Sequence, residues 1–172
     1  MSLKTTLFLT MLSLLLPGCS STNSNKSIVS GFDEPSVKWE TFKPLSDAYF
    51  DKNIEEMRRL LSSGVDPDYV GTKDGYSLLH VAAEHGWNEA ISLLLKYSKL
   101  VNHQAKDGKT PLHSVVKFGD YPDAIIILLA AGADPSVQDN DGLTAIDYAV
   151  ENKHQEAISV LKKAMNPNKP LD

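Results

Sequence analysis

The chain has 172 residues, of which 42% are hydrophobic and 23% are charged, so it suits one modest globular domain rather than two independent cores. The formal net charge is −5 at pH 7, which gives the protein no electrostatic reason to bind the negative backbone of nucleic acid. The single cysteine, Cys19, excludes a disulfide within the chain, and no group of Cys and His has the spacing of zinc ligands.

The amino-terminal segment has the pattern of a signal peptide. Lys4 provides a positive start, residues 7–16 are largely apolar, and a Pro-Gly turn follows at residues 17–18. Such a stretch is too short to span a bilayer as a permanent helix. We therefore expect residues 1–18 to be a cleaved signal peptide.

The position of the cysteine indicates a lipid anchor. The stretch LPGC at residues 16–19 resembles the lipobox of bacterial lipoproteins. That resemblance implies removal of the leader before Cys19 and attachment of acyl chains such as palmitate to Cys19. It also implies that Ser20 directs the protein to the outer membrane, facing the periplasm. Several acyl chains anchor a protein almost permanently, since each buried methylene contributes about 0.8 kcal/mol. The alternative is an ordinary secretory signal in which the cysteine occurs by chance.

The composition changes after the cysteine and again near residue 166. Residues 20–27 are small and polar without a period, so residues 19–36 are expected to form a flexible tether. The folded domain is expected to span residues 37–165. Two prolines interrupt residues 166–172, and we expect a loose tail there because this segment cannot continue a helix.

The folded part consists of repeats about 33 residues long. The stretch DGYSLLHVAA at residues 74–83 aligns with DGKTPLHSVV at residues 107–116 and with DGLTAIDYAV at residues 141–150. A second apolar run follows each copy, and a weaker copy precedes them near Pro44. The period predicts four units, each of which buries its apolar face against its neighbours. We place these units near residues 39–71, 72–104, 105–138 and 139–165.

The repeat resembles the ankyrin family, whose unit of about 33 residues contains T-P-L-H-x-A. Residues 110–113 are TPLH, and residues 131–135 are AGADP, which matches the family's connection between a helix and the next hairpin. The resemblance implies an all-α solenoid of about four helix-turn-helix units with β-hairpin-type loops. The motif histidine is present as His80 and His113 in the middle copies. It is replaced by Ser46 in the first copy and by Asp147 in the last.

The residue types that could carry chemistry are better explained by the repeat than by catalysis. His80 and His113 are predicted to be buried polar groups that tie the start of a helix to the neighbouring loop. Ser114 follows His113 without a nucleophile elbow, and the glycines occur singly rather than in a phosphate-binding loop. The hairpin aspartates are turn formers without the spacing of a calcium loop. We therefore expect no enzyme activity, no metal and no cofactor.

A protein partner is the expected ligand, because repeat stacks offer an extended concave surface. The resemblance to the ankyrin family places partner contacts beside the hairpin tips and near the ends of the first helices. Eight side chains at such places are candidates for partner binding: Trp39, Phe42, Phe50, Tyr76, His85, Lys109, Phe118 and Leu143. Most are aromatic, and aromatic residues are enriched at protein interfaces. Alternatively, Trp39, Phe42 and Phe50 cap the exposed end of the first unit.

One extra residue falls near Tyr121 in the third unit, between its two helices and away from the hairpin tips. A loop insertion in a repeat indicates either a local recognition feature or a neutral change. The aromatic side chain of Tyr121 favours the first interpretation.

Three functions remain open. The leading one is a lipid-anchored periplasmic protein that blocks one partner. It resembles an immunity lipoprotein that neutralises a secreted antibacterial effector, such as a type VI phospholipase. The second is an envelope scaffold or stress factor that holds a resident periplasmic enzyme. The third is an unrecognised enzyme or metal-binding protein, which no motif supports. The free protein is expected to be monomeric.

Overall fold

The computed structural model describes residues 37–166, and these residues form eight α-helices. The predicted signal peptide, Cys19, the predicted tether and residues 167–172 of the predicted tail lie outside the described residues. The helices in chain order are α1 (Val37–Phe50), α2 (Ile54–Ser62), α3 (Leu78–Glu84), α4 (Asn88–Leu94), α5 (Pro111–Phe118), α6 (Pro122–Ala130), α7 (Ala145–Glu151) and α8 (Gln155–Met165). Strand pairing within residues 37–166 is limited to an isolated antiparallel bridge, so the all-α prediction is confirmed.

Consecutive helices pack as four pairs, and the pairs stack on one another. The inner helices α3, α5 and α7 lie side by side, as do the outer helices α2, α4, α6 and α8. One hydrophobic core runs through all four pairs, from Leu45 in α1 to Leu161 in α8. The small side chains of Ala82 and Ala83 let α3 and α5 approach closely. Because each pair leaves an apolar face to its neighbour, the stability of the stack comes from the seams between units.

The motif histidines connect each unit to the next hairpin, as predicted. The Nδ1 atom of His80 accepts a hydrogen bond from the backbone N–H of Ser77 at 3.2 Å. The ring hydrogen is therefore on Nε2, which donates to the carbonyl oxygen of Lys109 at 3.1 Å. His113 makes the same pair of hydrogen bonds, at 3.1 Å to the N–H of Thr110 and 3.1 Å to the carbonyl of Leu143. Burial lowers the pKa of His80 to about 4, so its ring is neutral at pH 7.

The hairpins between units are joined by backbone hydrogen bonds. The N–H of Lys106 donates to the carbonyl of Asp74 at 2.9 Å, and the N–H of Asn140 donates to the carbonyl of Asp107 at 3.1 Å. Gly108 at the third unit's tip has φ of 82°, and a Cβ there would lie 2.5 Å from the backbone nitrogen of Asn140. A glycine is therefore required for both the turn and the close approach of the next hairpin.

The first unit differs from the others because its inner helix is twice as long. Helix α1 has 14 residues and includes Pro44, whereas α3 and α7 have seven residues each and begin after a hairpin. The residues before Pro44 therefore form two further helical turns in the place of a hairpin. The ring of Phe42 in this extension stacks on Tyr69 at a centroid distance of 4.9 Å.

The inserted loop between α5 and α6 bridges the second and fourth units. Gly119 is extended, with φ of −170°, where the equivalent Gly86 of the second unit has φ of 60°. The ring of Tyr121 lies against Gly86, since a Cβ on this glycine would be 2.5 Å from the ring. On the other side, the Asp120 carboxylate accepts a hydrogen bond from the backbone N–H of Ala157 at 2.9 Å. The insertion thus has a structural role, which neither interpretation of the sequence included.

Candidate partner-binding face

The eight candidate residues fall into three groups in the structure. Three belong to α1, three lie at the hairpin tips, and two lie at the ends of α3 and α5. Their burial decides which of them a partner can reach.

The residues of α1 are core or capping residues. The side chain of Phe42 is only 1% exposed, so the prediction that it contacts a partner is wrong. The hairpin expected beside it is absent, because α1 extends through this segment. Trp39 is half-buried against Phe42 and Tyr69, at centroid distances of 6.0 and 5.5 Å. Phe50 is half-buried and lies edge-on to a neighbouring aromatic ring. The capping alternative therefore holds for Phe42 and agrees with the packing of Trp39.

Lys109 is also buried, with 6% of its surface exposed. The prediction that its side chain contacts a partner is therefore wrong, because a partner cannot reach its ammonium group. Its Nζ atom lies 2.9 Å from an oxygen of Asp107 and 3.5 Å from an oxygen of Asp139. Tyr76 donates a hydrogen bond to Asp107 at 3.0 Å, and Tyr148 donates one to Asp139 at 2.6 Å. We call these five residues the polar chain. The polar chain crosses three units, and both of its carboxylates lie beside the ammonium group of Lys109.

The electrostatics of the polar chain favour its charged form. Burial opposes ionisation of Asp139, but hydrogen bonds from Tyr148 and from two backbone N–H groups outweigh it and lower the pKa of the carboxyl group. The pKa of Asp107 is also lowered, because hydrogen bonds from Lys109 and Tyr76 outweigh its desolvation. Burial opposes the charged form of Lys109, but the hydrogen bond and charge of Asp107 raise its pKa. The ion pairs therefore persist across the physiological pH range.

Tyr76 and Leu143 are only partly accessible. Tyr76 is half-buried, and its hydroxyl group is held by Asp107. Leu143 is half-buried against the core, its N–H donates to Asp139 and its carbonyl accepts from His113. A partner can contact only part of each of these two side chains, because neither is fully exposed to solvent.

The most exposed candidates lie at the carboxyl ends of the inner helices. Phe118 ends α5 with 51% of its side chain exposed, and Lys117 places its ammonium group 5.4 Å from the centre of this ring. His85 follows α3, and Asn152 follows α7 at the equivalent positions. Both side chains are exposed, and the Asn152 amide lies 3.5 Å from the Lys117 carbonyl. We call His85, Lys117, Phe118 and Asn152 the inner-helix ridge.

His85 is oriented by the first unit. Its Nδ1 atom lies 2.7 Å from the hydroxyl oxygen of Tyr49, which also lies 3.2 Å from the carbonyl of Val81. Burial and the nearby charge of Lys52 lower the pKa of His85. A neutral imidazole with one fixed hydrogen bond therefore stands at this end of the ridge.

The sequence did not predict the buried partners of Lys109. Tyr148 occupies the repeat position that Val81 and Ser114 have in the preceding units, so the pattern gave no reason to expect a hydroxyl group there. The one sequence feature that points to these partners is Asp139, two residues before the last Asp-Gly tip, where an aspartate is also typical of a turn. It does accept hydrogen bonds from the N–H groups of Asp141 and Leu143.

Residues 37–166 contain no group of three or more His, Cys, Asp or Glu side chains arranged to hold a metal ion. In the same part of the chain, no helix has the length and apolar character needed to cross a membrane.

Comparisons with known proteins identify relatives that share part of the chain. It is 34% identical over 96 residues to human BCL-6 corepressor-like protein 1, a match that covers 55% of this chain and 5% of that protein. It is 40% identical over 77 residues to the ADP-ribosylation factor GTPase-activating protein AGD4 of Arabidopsis thaliana, covering 45% and 10% respectively. The match to mouse protein phosphatase 1 regulatory subunit 12A is 35% identical over 99 residues and covers 58% and 10%.

The similarity to these relatives is thus confined to a tenth or less of their length. A family model described as "Ankyrin repeats (3 copies)" matches residues 45–139 and 101–170, which together form most of the chain. Ankyrin repeats generally form non-catalytic modules for protein–protein interaction. The family match agrees with the four helix pairs, the histidines that link neighbouring units and the hairpins joined by backbone hydrogen bonds. The chain therefore belongs to the ankyrin-repeat family.

Proposed function

We propose that the chain is a lipid-anchored periplasmic ankyrin-repeat protein, and specifically an immunity protein that neutralises a secreted antibacterial effector such as a phospholipase. The observation that carries the binding part of this proposal is the exposed ring of Phe118 in the middle of the inner-helix ridge. The concave face would cover the active site or the membrane-docking surface of the effector.

The ridge has the composition of an interface centre. Its one large apolar group is surrounded by groups that can each form a directional contact, namely an imidazole, an ammonium group and an amide. Aromatic side chains that become fully desolvated dominate many protein interfaces, and polar neighbours exclude water around them. The polar chain links three neighbouring units by hydrogen bonds and ion pairs, which supports a rigid stack that loses little conformational freedom on binding.

The proposed location rests on the first 19 residues. A positive start, a short apolar stretch and the LPGC stretch that ends in Cys19 support a lipid anchor. Ser20 supports the outer membrane rather than the inner one. An inhibitor anchored beside the bilayer would meet a lipid-cleaving effector where its substrate lies, which favours rapid capture through a high local concentration.

The names of the relatives agree with a regulatory role. A corepressor-like protein, a GTPase-activating protein and a regulatory subunit are all described by their effect on another protein. Since the matches cover a tenth or less of each relative, they support binding by this chain and leave the identity of its partner to experiment.

The test is survival of cells in contact with neighbours that deliver such effectors. Cells without the gene should lose resistance, and the unchanged gene should restore it. Phe118→Ala should weaken the complex by about 2 kcal/mol, or roughly thirty-fold, and so restore resistance only partly. Ile126→Ala is the matched control, because Ile126 is 50% exposed on the outer helix α6 and should restore resistance fully.

Two results would contradict the proposal. If cells without the gene remain as resistant as before to every effector tested, the protein is not an immunity protein. Capture of a resident envelope enzyme in cells that possess no such effector would instead favour the scaffold alternative.

A further inference from the structure

The two ends of the repeat stack differ in polarity. At the first end, the exposed residues among residues 38–50 of α1 are charged or polar apart from Pro44, and Lys43 forms an ion pair with Asp47. None of the exposed large hydrophobic side chains of residues 38–166 lies in α1 or α2. At the other end, Val150 of α7 is 56% exposed. Terminal units of repeat proteins need a polar outer face to stay soluble, and only the first end meets this requirement.

The apolar residues at the second end occupy seam positions. Val150 has the repeat position of Val116, which is 0% exposed because the following unit covers it. Ile146 and Ile158 are only partly buried, whereas the equivalent residues of the third unit, Leu112 and Ile125, are completely buried. Within the described residues, no unit packs on α7 and α8. We call Ile146, Val150 and Ile158 the end face.

Two opposite charges flank the end face. Asp147 replaces the motif histidine, whose ring reaches the following unit in the second and third copies. Lys162 has the repeat position of Leu95 and Leu129, which pack partly buried against the hydrophobic core in those copies. Asp147 lies in the first turn of α7 and Lys162 in the last turn of α8. Because α7 and α8 pack on each other and are joined by a short loop, these two turns lie at the same end of the helix pair, with one charge on each helix.

This arrangement is complementary to itself and not to the other end of the stack. Head-to-tail association would place the apolar end face against the polar surface of α1, so it is unfavourable. Tail-to-tail association about a two-fold axis parallel to the helices would place α7 of one copy on α8 of the other. The apolar residues would then meet at the centre, and each Asp147 would approach Lys162 of the second copy.

We propose that two copies of the chain associate tail to tail through this end face. The association covers the seam residues that the fourth unit leaves exposed, and the two charge pairs fix its orientation. The proposal replaces the monomer expected from the sequence. It is independent of the proposed immunity function, since no residue of the inner-helix ridge belongs to the end face.

The experiment is photo-crosslinking in cells that express the full chain. A photoreactive benzoyl-phenylalanine is placed at position 150, and in a control at position 126, where a similarly exposed aliphatic side chain lies on the outer surface of α6. Position 150 should yield an adduct of twice the chain mass that contains only peptides of this chain, with at least ten times the yield at position 126.

A charge reversal tests the orientation. Lys162→Glu should lower the yield of this adduct at least three-fold, because it places two acidic groups together. Lys163→Glu, on the neighbouring exposed residue, should leave the yield unchanged. The proposal is overturned by an adduct with a different protein, by a crosslink within one chain to residues 167–172, by equal yields at positions 150 and 126, or by no adduct. Equal effects of the two charge reversals would overturn the tail-to-tail arrangement.

Discussion

Replacing Lys109 by methionine tests whether the polar chain holds three units together. Lys109→Met keeps an unbranched side chain, shorter by one atom, and removes its charge. The Asp139 carboxylate, whose side chain is fully buried, then loses its cation 3.5 Å away and keeps three hydrogen bonds, from Tyr148 and from two backbone N–H groups. Breaking a buried ion pair costs about 3–5 kcal/mol. Since these three hydrogen bonds remain and Asp107 is partly exposed, we expect the lower end, about 3 kcal/mol.

The pH dependence gives a second, independent outcome. The pKa values of Asp107 and Asp139 are lowered in the folded protein, so their contribution to stability is present above the unfolded pKa near 4 and is lost as the pH falls through the folded pKa. The effect of Lys109→Met on the free energy of unfolding should therefore be largest at pH 7. It should shrink as the carboxyl groups become protonated.

The assay is urea unfolding followed by circular dichroism, using the chain without residues 1–19. Lys73→Met, which removes an exposed lysine at another hairpin tip, is the control and should change the free energy of unfolding by less than about 0.5 kcal/mol. A Lys109→Met variant within 1 kcal/mol of the unchanged protein at pH 7, or an effect that grows as the pH falls, would refute this account of the polar chain.

Three further predictions concern the seams of the stack. Leu112→Ala should lower the free energy of unfolding by about 2–5 kcal/mol in urea titrations, because its side chain is completely buried between units. His80 is neutral when folded, so stability should fall as the pH drops from 6.5 towards 4, by up to roughly 3 kcal/mol, and His80→Gln should reduce this slope. An unchanged slope would contradict the buried neutral ring. Gly86→Ala should lower the melting temperature more than Gly132→Ala, because both glycines have positive φ but only Gly86 touches the Tyr121 ring. Adding Tyr121→Ala should remove that difference.

Local patterns were sufficient to predict the repeats and their anchors. The period placed the four helix pairs, and the roles of His80 and His113 followed from their position at the start of a helix beside a loop of the next unit. Both features depend on residues close in sequence or one repeat apart. Such relations are visible in a periodic chain.

The predictions for Phe42 and Lys109 failed for a different reason. Each residue was assigned an exposed position by its alignment within the repeat, and each alignment assumed that every unit has the same backbone and the same neighbours. Helix α1 replaces a hairpin in the first unit, which turns Phe42 towards Tyr69. Lys109 is covered because Tyr148, one unit further along, brings a buried aspartate within reach.

The sequence alone therefore determined the period, the helix pairs and the histidine-linked seams, because an apolar face that recurs at a fixed spacing can be buried only by stacking one unit on the next. Tertiary structure decided which side chains remain on the surface. Exposure depends on what the adjacent unit places opposite a residue. For this reason Phe118 stays exposed on the ridge, Lys109 is buried in the polar chain, and Val150 is exposed where Val116 is covered.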